Sequence, residues 1–164
     1  MLTIQNCPPN PTFLETFERC CDEFDDLSFA SAYCSWPRGT LFNHALRKLN
    51  SVTAVLGPLQ NGACDGFFEL AKAMKEEGKK VHVHEFEQNR TFHPKLYVFR
   101  RGDRSRALIL GSTNFTKRAF YANEELDVLL EGELEGQPQF DMLSKRFIDW
   151  FFAGRCLNGK CTLT

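Results

Sequence analysis

The sequence predicts a single α/β domain, a mixed and mainly parallel β-sheet with helices on both faces. Three observations predict it. In the first half, short apolar runs alternate with segments of helical period; the connections between them are short; and in the second half three apolar runs follow one another with turns between them. A chain of 164 residues has room for one core of reasonable size, so residues 1–164 are taken as one domain with the last ~10 residues a C-terminal tail.

Taken in order, Asn10 and Pro11 start a helix over residues 11–24, where Phe13, Leu14, Phe17, Cys20, Cys21 and Phe24 recur on one face. The run LSFASAY (27–33) reads as a strand. TLFNHALRKLN (40–50) reads as a helix with Leu41, Phe42, Ala45, Leu46 and Leu49 inward, and SVTAVLG (51–57) as the next strand. After a loop rich in Gly, Pro and Asn come a helix over 66–77, closed by Gly78, and a strand over 80–86. HPKLYVF (93–99), RALILG (106–111) and ELDVLLE (125–131) add strands to the same sheet, with Arg101, Gly102 and Asp103 supplying a hairpin turn between the first two. A last helix, 137–152, carries Phe140, Leu143, Phe147, Ile148, Phe151 and Phe152 on its apolar side. Trp150, Phe151 and Phe152 are assigned to core or a dimer contact rather than to a base-stacking platform.

Composition narrows the function classes. With 43% hydrophobic and 25% charged residues and no apolar run of bilayer length, membrane spanning is excluded as an expectation. The opening MLTIQNCPPNPTF lacks the basic start and apolar stretch of a secretory signal. Seven cysteines, an odd number with Cys20 and Cys21 adjacent, favour reduced thiols in a cytoplasmic setting. Cys156 and Cys161 resemble half of a metal site, but no second pair or nearby histidine follows. His82 and His84 share a strand face without a third ligand in register, so no metal and no cofactor is expected. His44, between apolar helix positions, is placed at the surface or its boundary.

The net charge of −1 conceals an asymmetry. From Arg90 to Arg118 stand Arg90, Lys95, Arg100, Arg101, Arg104, Arg106, Lys117 and Arg118 against the single acid Asp103. Concentrated positive charge of this kind attracts polyanions. Within the same stretch, His93 and Lys95 lie two apart on an extended chain and therefore share a face. A hairpin brings them to Gly111, Ser112 and Asn114, which follow the neighbouring strand. An imidazole, an ammonium, a hydroxyl and a carboxamide in one place suit a phosphate, and Gly111 leaves room for close backbone approach. Histidine adds a nucleophile or an acid and base near neutral pH.

The combination of HPK, then GSTN, then NEE resembles the phospholipase D superfamily, most closely its nuclease branch with one His-x-Lys motif per chain. The resemblance implies a phosphodiesterase in which His93 attacks phosphorus to form a phosphohistidine. Lys95 and Asn114 would bind nonbridging oxygens, Ser112 would assist in the phosphate pocket, and Glu125 would orient the histidine, with Glu124 the adjacent competitor. One departure is plain. The family aspartate normally falls five residues after the lysine, where this chain has Arg100; Asp103 lies three positions later, and Arg100 is assigned instead to a neighbouring phosphate. Lys117 and Arg118 complete the candidate substrate contacts, together with Trp36 and Arg38, which follow a strand end and for which packing is the safer reading.

Because the chemistry uses two histidines and this chain holds one motif, the resemblance implies a homodimer with one composite site. No metal and no membrane are implied. The expected partner is nucleic acid, DNA in preference to RNA, with a restriction, repair or defence complex as possible settings. A phospholipid-hydrolysing enzyme and an inactive nucleic-acid-binding or dimerisation module are the alternatives.

Overall fold

One sheet divides the core into two layers, because strand residues alternate between its faces and both faces are apolar. The computed structural model describes residues 2–5, 12–36, 43–59, 63–86, 91–102, 105–133 and 138–157. In chain order the elements are β1 (Leu2–Gln5), α1 (Phe13–Glu23), β2 (Asp26–Ser31), β3 (Cys34–Ser35), α2 (Asn43–Leu46), β4 (Ser51–Leu56), α3 (Asp65–Glu76), β5 (Lys80–Phe86), β6 (Lys95–Arg101) and β7 (Ser105–Gly111). They continue with β8 (Phe115–Thr116), α4 (Lys117–Tyr121), β9 (Leu126–Glu133), α5 (Pro138–Ala153) and β10 (Gly154–Cys156).

The large sheet has eight strands in the order β1-β9-β7-β6-β2-β4-β5-β10, and β3 pairs with β8 in a separate two-stranded piece. The α/β class and the mixed sheet are as expected, but the parallel part is smaller. In the large sheet only β2–β4 and β4–β5 run parallel. A helix-bearing crossover joins β4 to β5 in parallel, whereas the short turn from β6 to β7 reverses the chain. Two edge strands, β1 against β9 and β10 against β5, went unread. β10 takes up the start of the stretch assigned to a tail.

The larger core layer holds Phe13, Phe17 and Cys20 of α1, Leu46 of α2, Phe67, Leu70 and Met74 of α3, and Phe120 of α4, packed on Phe29, Tyr97, Phe99 and Ile109 of the sheet. Aromatic rings meet there mainly edge to face, as Phe17 and Tyr97 do at 5.7 Å. The opposite layer is made by Phe140, Phe147 and Phe151 of α5 over Ala30, Val55, Phe86, Leu96, Val98 and Leu108. Helix α1 is capped by Thr12. The Thr12 hydroxyl accepts from the Glu15 N–H at 3.1 Å and the Glu15 carboxylate accepts from the Thr12 N–H at 2.7 Å. The β6–β7 turn runs through Gly102 at φ +55°, a conformation glycine adopts without strain. His44 is exposed, 3.9 Å from Glu18.

The cysteines correct the expectation of reduced thiols. Cys34 and Cys64 form a disulfide across 5.8 Å between Cα atoms, and Cys156 is disulfide-bonded as well. Cys20 and Cys21 are free and buried, and burial pushes the Cys20 thiol up to about 12. The parity of the count held no information about which residues the topology brings together, so the thiol argument for a cytoplasmic setting falls away. Among the described residues, no helix is long and apolar enough to cross a membrane.

His84 is buried against the Phe151 ring, centroids 3.9 Å apart, with His82 two residues earlier on β5. Burial lowers both imidazole pKa values below the ordinary 6.5; Lys75 and Lys80 add to the effect at His82, and backbone groups of Gly154 and Phe151 oppose it at His84. The folded state therefore favours the neutral rings, and the unfolded chain binds protons first as pH falls. Their stabilisation is complete above about pH 6.5 and is lost as pH drops through the lowered folded values. Urea midpoints should fall between pH 7.5 and pH 5, and His84→Phe, which keeps a ring against Phe151 but cannot titrate, should flatten that slope.

Candidate active site

The ends of β6, β7 and β9 set the site. In the antiparallel register Leu96 lies opposite Leu110, and Gly111 lies opposite Asp127. The residues entering β6, leaving β7 and entering β9 therefore meet at one edge of the sheet. His93 is exposed on the segment before β6, and the Lys95 Nζ sits 2.8 Å from its Nδ1 and 3.2 Å from its Nε2, also donating to the His93 carbonyl at 3.2 Å. Burial lowers the Lys95 pKa, and the nearby Glu125 charge partly offsets this. The imidazole and ammonium thus form one unit, as the two-residue spacing predicts.

Across from them, the Ser112 hydroxyl donates to Glu125 Oε2 at 2.5 Å and accepts from the Leu126 N–H at 2.9 Å. Asn123 Nδ2 donates to the other Glu125 oxygen at 3.0 Å. A hydroxyl has one proton to give, so Ser112 as it stands holds the carboxylate rather than donating to a phosphate. Glu125 is half-buried and faces this cluster, whereas Glu124 is exposed. The Asn114 carboxamide accepts from the Tyr33 N–H at 3.2 Å, which identifies its oxygen and leaves the NH2 group as the end suited to an acceptor ligand.

Several residues essential to this geometry carry no motif. The buried Ser31 hydroxyl donates to the Tyr33 carbonyl at 2.7 Å and accepts from the Phe115 N–H at 2.8 Å. The Ala32 N–H donates to the Pro94 carbonyl at 2.9 Å. Tyr33 is exposed, and its ring centroid lies 6.2 Å from that of His93, edge to face. Asp127 is 1% exposed; it accepts from the Thr113 N–H at 3.2 Å and from its hydroxyl at 2.5 Å. Burial raises the Asp127 pKa, while the two Thr113 bonds pull it down. A buried acid inside an apolar strand pattern was the available signal, and ELDVLLE contained it.

Other candidate contacts lie elsewhere. Arg100 is at the far end of β6, opposite Asp26 and Arg106. Five strand residues from Lys95 correspond to about 17 Å, beyond a phosphate neighbouring His93. The basic cluster is consequently split: Arg100, Arg101 and Arg106 belong to the hairpin end, while Lys117 and Arg118, both exposed on α4, follow the Asn114 loop. Trp36 is fully buried and stacks on Phe115 at 4.7 Å, so it is core. Arg38 and Asp103 lie outside the described residues. Gly111 leaves no room for substrate; the space a side chain would need is filled by the Leu126 carbonyl and by Asp127, whose Cα is 2.6 Å from an added Cβ. Among the described residues, no group of three His, Cys, Asp or Glu side chains is placed to hold a metal ion.

Comparison with known proteins adds family and fold. A family model described as the PLD-like domain of cardiolipin synthase matches residues 53–151, more than half of the chain. No curated protein sequence matches it. The structure resembles Nuc, a phospholipase D family member from Salmonella typhimurium, at a TM-score of 0.66 and 14% identity over 96% of this chain and 97% of that one. It resembles the phosphatidylserine synthase of Haemophilus influenzae Rd KW20 at 0.67 and 15% identity, over 94% of this chain but 39% of that one. NucT from Helicobacter pylori aligns at 0.55 and 13% identity, over 88% and 90% of the two chains. At such identities the likeness is one of fold.

Gly111→Ala tests the packing beneath the loop. The added methyl must push β9 away from β7 and disturb Asp127, which should lower stability by about 1–3 kcal/mol in urea unfolding.

Proposed function

The chain belongs to the family of PLD-like domains, and from that premise we propose that it hydrolyses phosphodiesters of nucleic acid through a covalent phosphohistidine at His93. One observation carries the reading: an ammonium lies 2.8 Å from an exposed imidazole, at the strand ends that also present Asn114 and the Ser112–Glu125 pair. A phosphoryl group placed there meets a nucleophile and charge-assisted donors together.

In the first displacement a ring nitrogen of His93 attacks phosphorus and the bond to the leaving oxygen breaks. That oxygen takes a proton from His93 of a second copy. In the second, the same imidazole removes a proton from water, the oxygen attacks phosphorus, and the phosphorus–nitrogen bond to His93 breaks. Lys95 and the Asn114 NH2 hold nonbridging oxygens throughout. Glu125 supports the positive charge of the cluster, and Ser112 positions Glu125.

A twofold dimer supplies the second imidazole. Support for it comes from three apolar or aromatic side chains exposed at the site's rim, Tyr33, Leu110 and Leu126, at 55%, 36% and 56%. Lys117 and Arg118, beside the Asn114 loop, favour a polyanionic substrate over a lipid surface. DNA is preferred to RNA on the resemblance to the nuclease branch.

Metal-free digestion of DNA, RNA and phospholipid vesicles tests the reading. Cleavage of nucleic acid should persist in excess EDTA, and His93→Ala should reduce it about a thousandfold or more with the fold retained. Turnover of vesicles alone would assign a phospholipid hydrolase, and binding of DNA without turnover would assign a non-catalytic module. Light scattering should give a dimer; a monomer cleaving at the full rate would remove the shared site.

A further inference from the structure

Beside the His93 ring opens a cleft of about 390 Å³, walled by Phe86, Thr91, Phe92, Pro94, Arg146 and Trp150. It differs in character from the phosphate-binding cluster. Phe92 stacks on Phe86 at 4.4 Å and meets Trp150 edge to face at 5.5 Å, forming an aromatic wall. Arg146 and Trp150 stand one turn apart on α5, so they project to the same side. The Arg146 side chain is 59% exposed, with its Nη1 3.9 Å from Asp149. Although Trp150 belongs to a stretch assigned to core or a dimer contact, only Phe151 of that stretch is fully in the core. Trp150 is half-buried, and Phe152 is exposed.

We propose that this cleft is a subsite for one nucleobase flanking the cleaved phosphodiester, an inference that rests on the phosphodiesterase reading above. A base has a π face for the half-buried Trp150, which the buried Phe92 backs, and polar edges for Arg146 and Thr91. Its sugar-phosphate is then delivered to His93, which forms the cleft's boundary. The cleft is of the size that holds a single small ligand. An acyl chain would need a longer apolar groove, and half of this wall is polar. Stacking accepts any base, so the subsite confers a requirement for a base without strong sequence preference.

Trp150 is itself the probe. The chain has two tryptophans, and Trp36 is fully buried, so the solvent-responsive part of the emission comes from the cleft. Deoxyadenosine 5′-monophosphate should quench that emission saturably, deoxyribose 5-phosphate should not, and Trp150→Phe should abolish the effect. In turnover, a single-stranded oligonucleotide with an abasic residue beside the cleaved bond should be cut about tenfold more slowly than its base-bearing counterpart, and Trp150→Ala should erase the difference. Should that variant fail to fold, Arg146→Ala, a change on the exposed face, should weaken nucleotide quenching several-fold.

Equal quenching by both phosphates, or by neither, overturns the subsite, as does base discrimination that survives Trp150→Ala or nucleotide quenching unchanged in Arg146→Ala. Quenching by phosphatidylglycerol vesicles but not by the nucleotide overturns it in favour of a lipid. The two readings fail separately. Base-selective quenching in a chain that cuts no nucleic acid leaves the subsite and removes the hydrolase, whereas DNA cleavage without such quenching does the reverse.

Discussion

The buried Ser31 hydroxyl, at the end of a central strand, holds the site together. It gives its proton to the Tyr33 carbonyl and receives one from the Phe115 N–H, so one oxygen ties the exit of β2 to the loop after Asn114. Its neighbours extend the tie: the Ala32 N–H reaches the Pro94 carbonyl beside His93, and the Tyr33 N–H reaches Asn114. Three loops that are distant in sequence are thereby referred to the end of one strand. Loss of that hydroxyl would leave a buried N–H and a carbonyl to find other partners, the costly side of hydrogen-bond energetics.

Beneath the Ser112–Asn114 loop the constraint is electrostatic as well as geometric. Asp127 is buried in the apolar face of β9, where an ionised carboxylate is disfavoured, yet it accepts two bonds from Thr113. The Tyr97 hydroxyl, from the middle of the aromatic core, donates to the Thr113 carbonyl at 2.9 Å. Thr113 is thus satisfied on both sides, while its neighbours Ser112 and Asn114 turn toward the site. Gly111 belongs to this support, because only a residue without a side chain lets β7 approach Asp127 so closely. Loop position here is a consequence of core packing.

What was legible in the sequence follows from range. Period-two and helical patterns report burial of residues near one another, so the β2, β4, β5, β6, β7 and β9 strands and the α1, α3 and α5 helices could be read. The proximity of His93 and Lys95 to Ser112 and Asn114 was readable for the same reason, since hairpin register is set by a short turn, whereas Glu125 was marked only by the family resemblance. Arg100 was misplaced because proximity in sequence is separation along an extended chain. Edge strands β1 and β10 find partners more than sixty residues away, which no local pattern specifies. Cys34 and Cys64, thirty residues apart, pair for reasons that lie in the path of the chain between them. Ser31 and Tyr33 gave no signal at all, since a serine closing a strand is ordinary.

In the proposed reaction, one copy of this site would have to hold its imidazole in two opposite states. Lys95 Nζ lies against the ring, and an imidazole that attacks phosphorus must present a free lone pair at the attacking nitrogen. The leaving oxygen requires the opposite state, an imidazolium with a proton to give, and one ring cannot hold both states at the moment of bond breaking. Glu125 does not resolve the conflict, because both of its oxygens are engaged, one by Ser112 and the other by Asn123. A second imidazole in a different environment does resolve it, and the exposed rim of Tyr33, Leu110 and Leu126 is where a second copy would bring one.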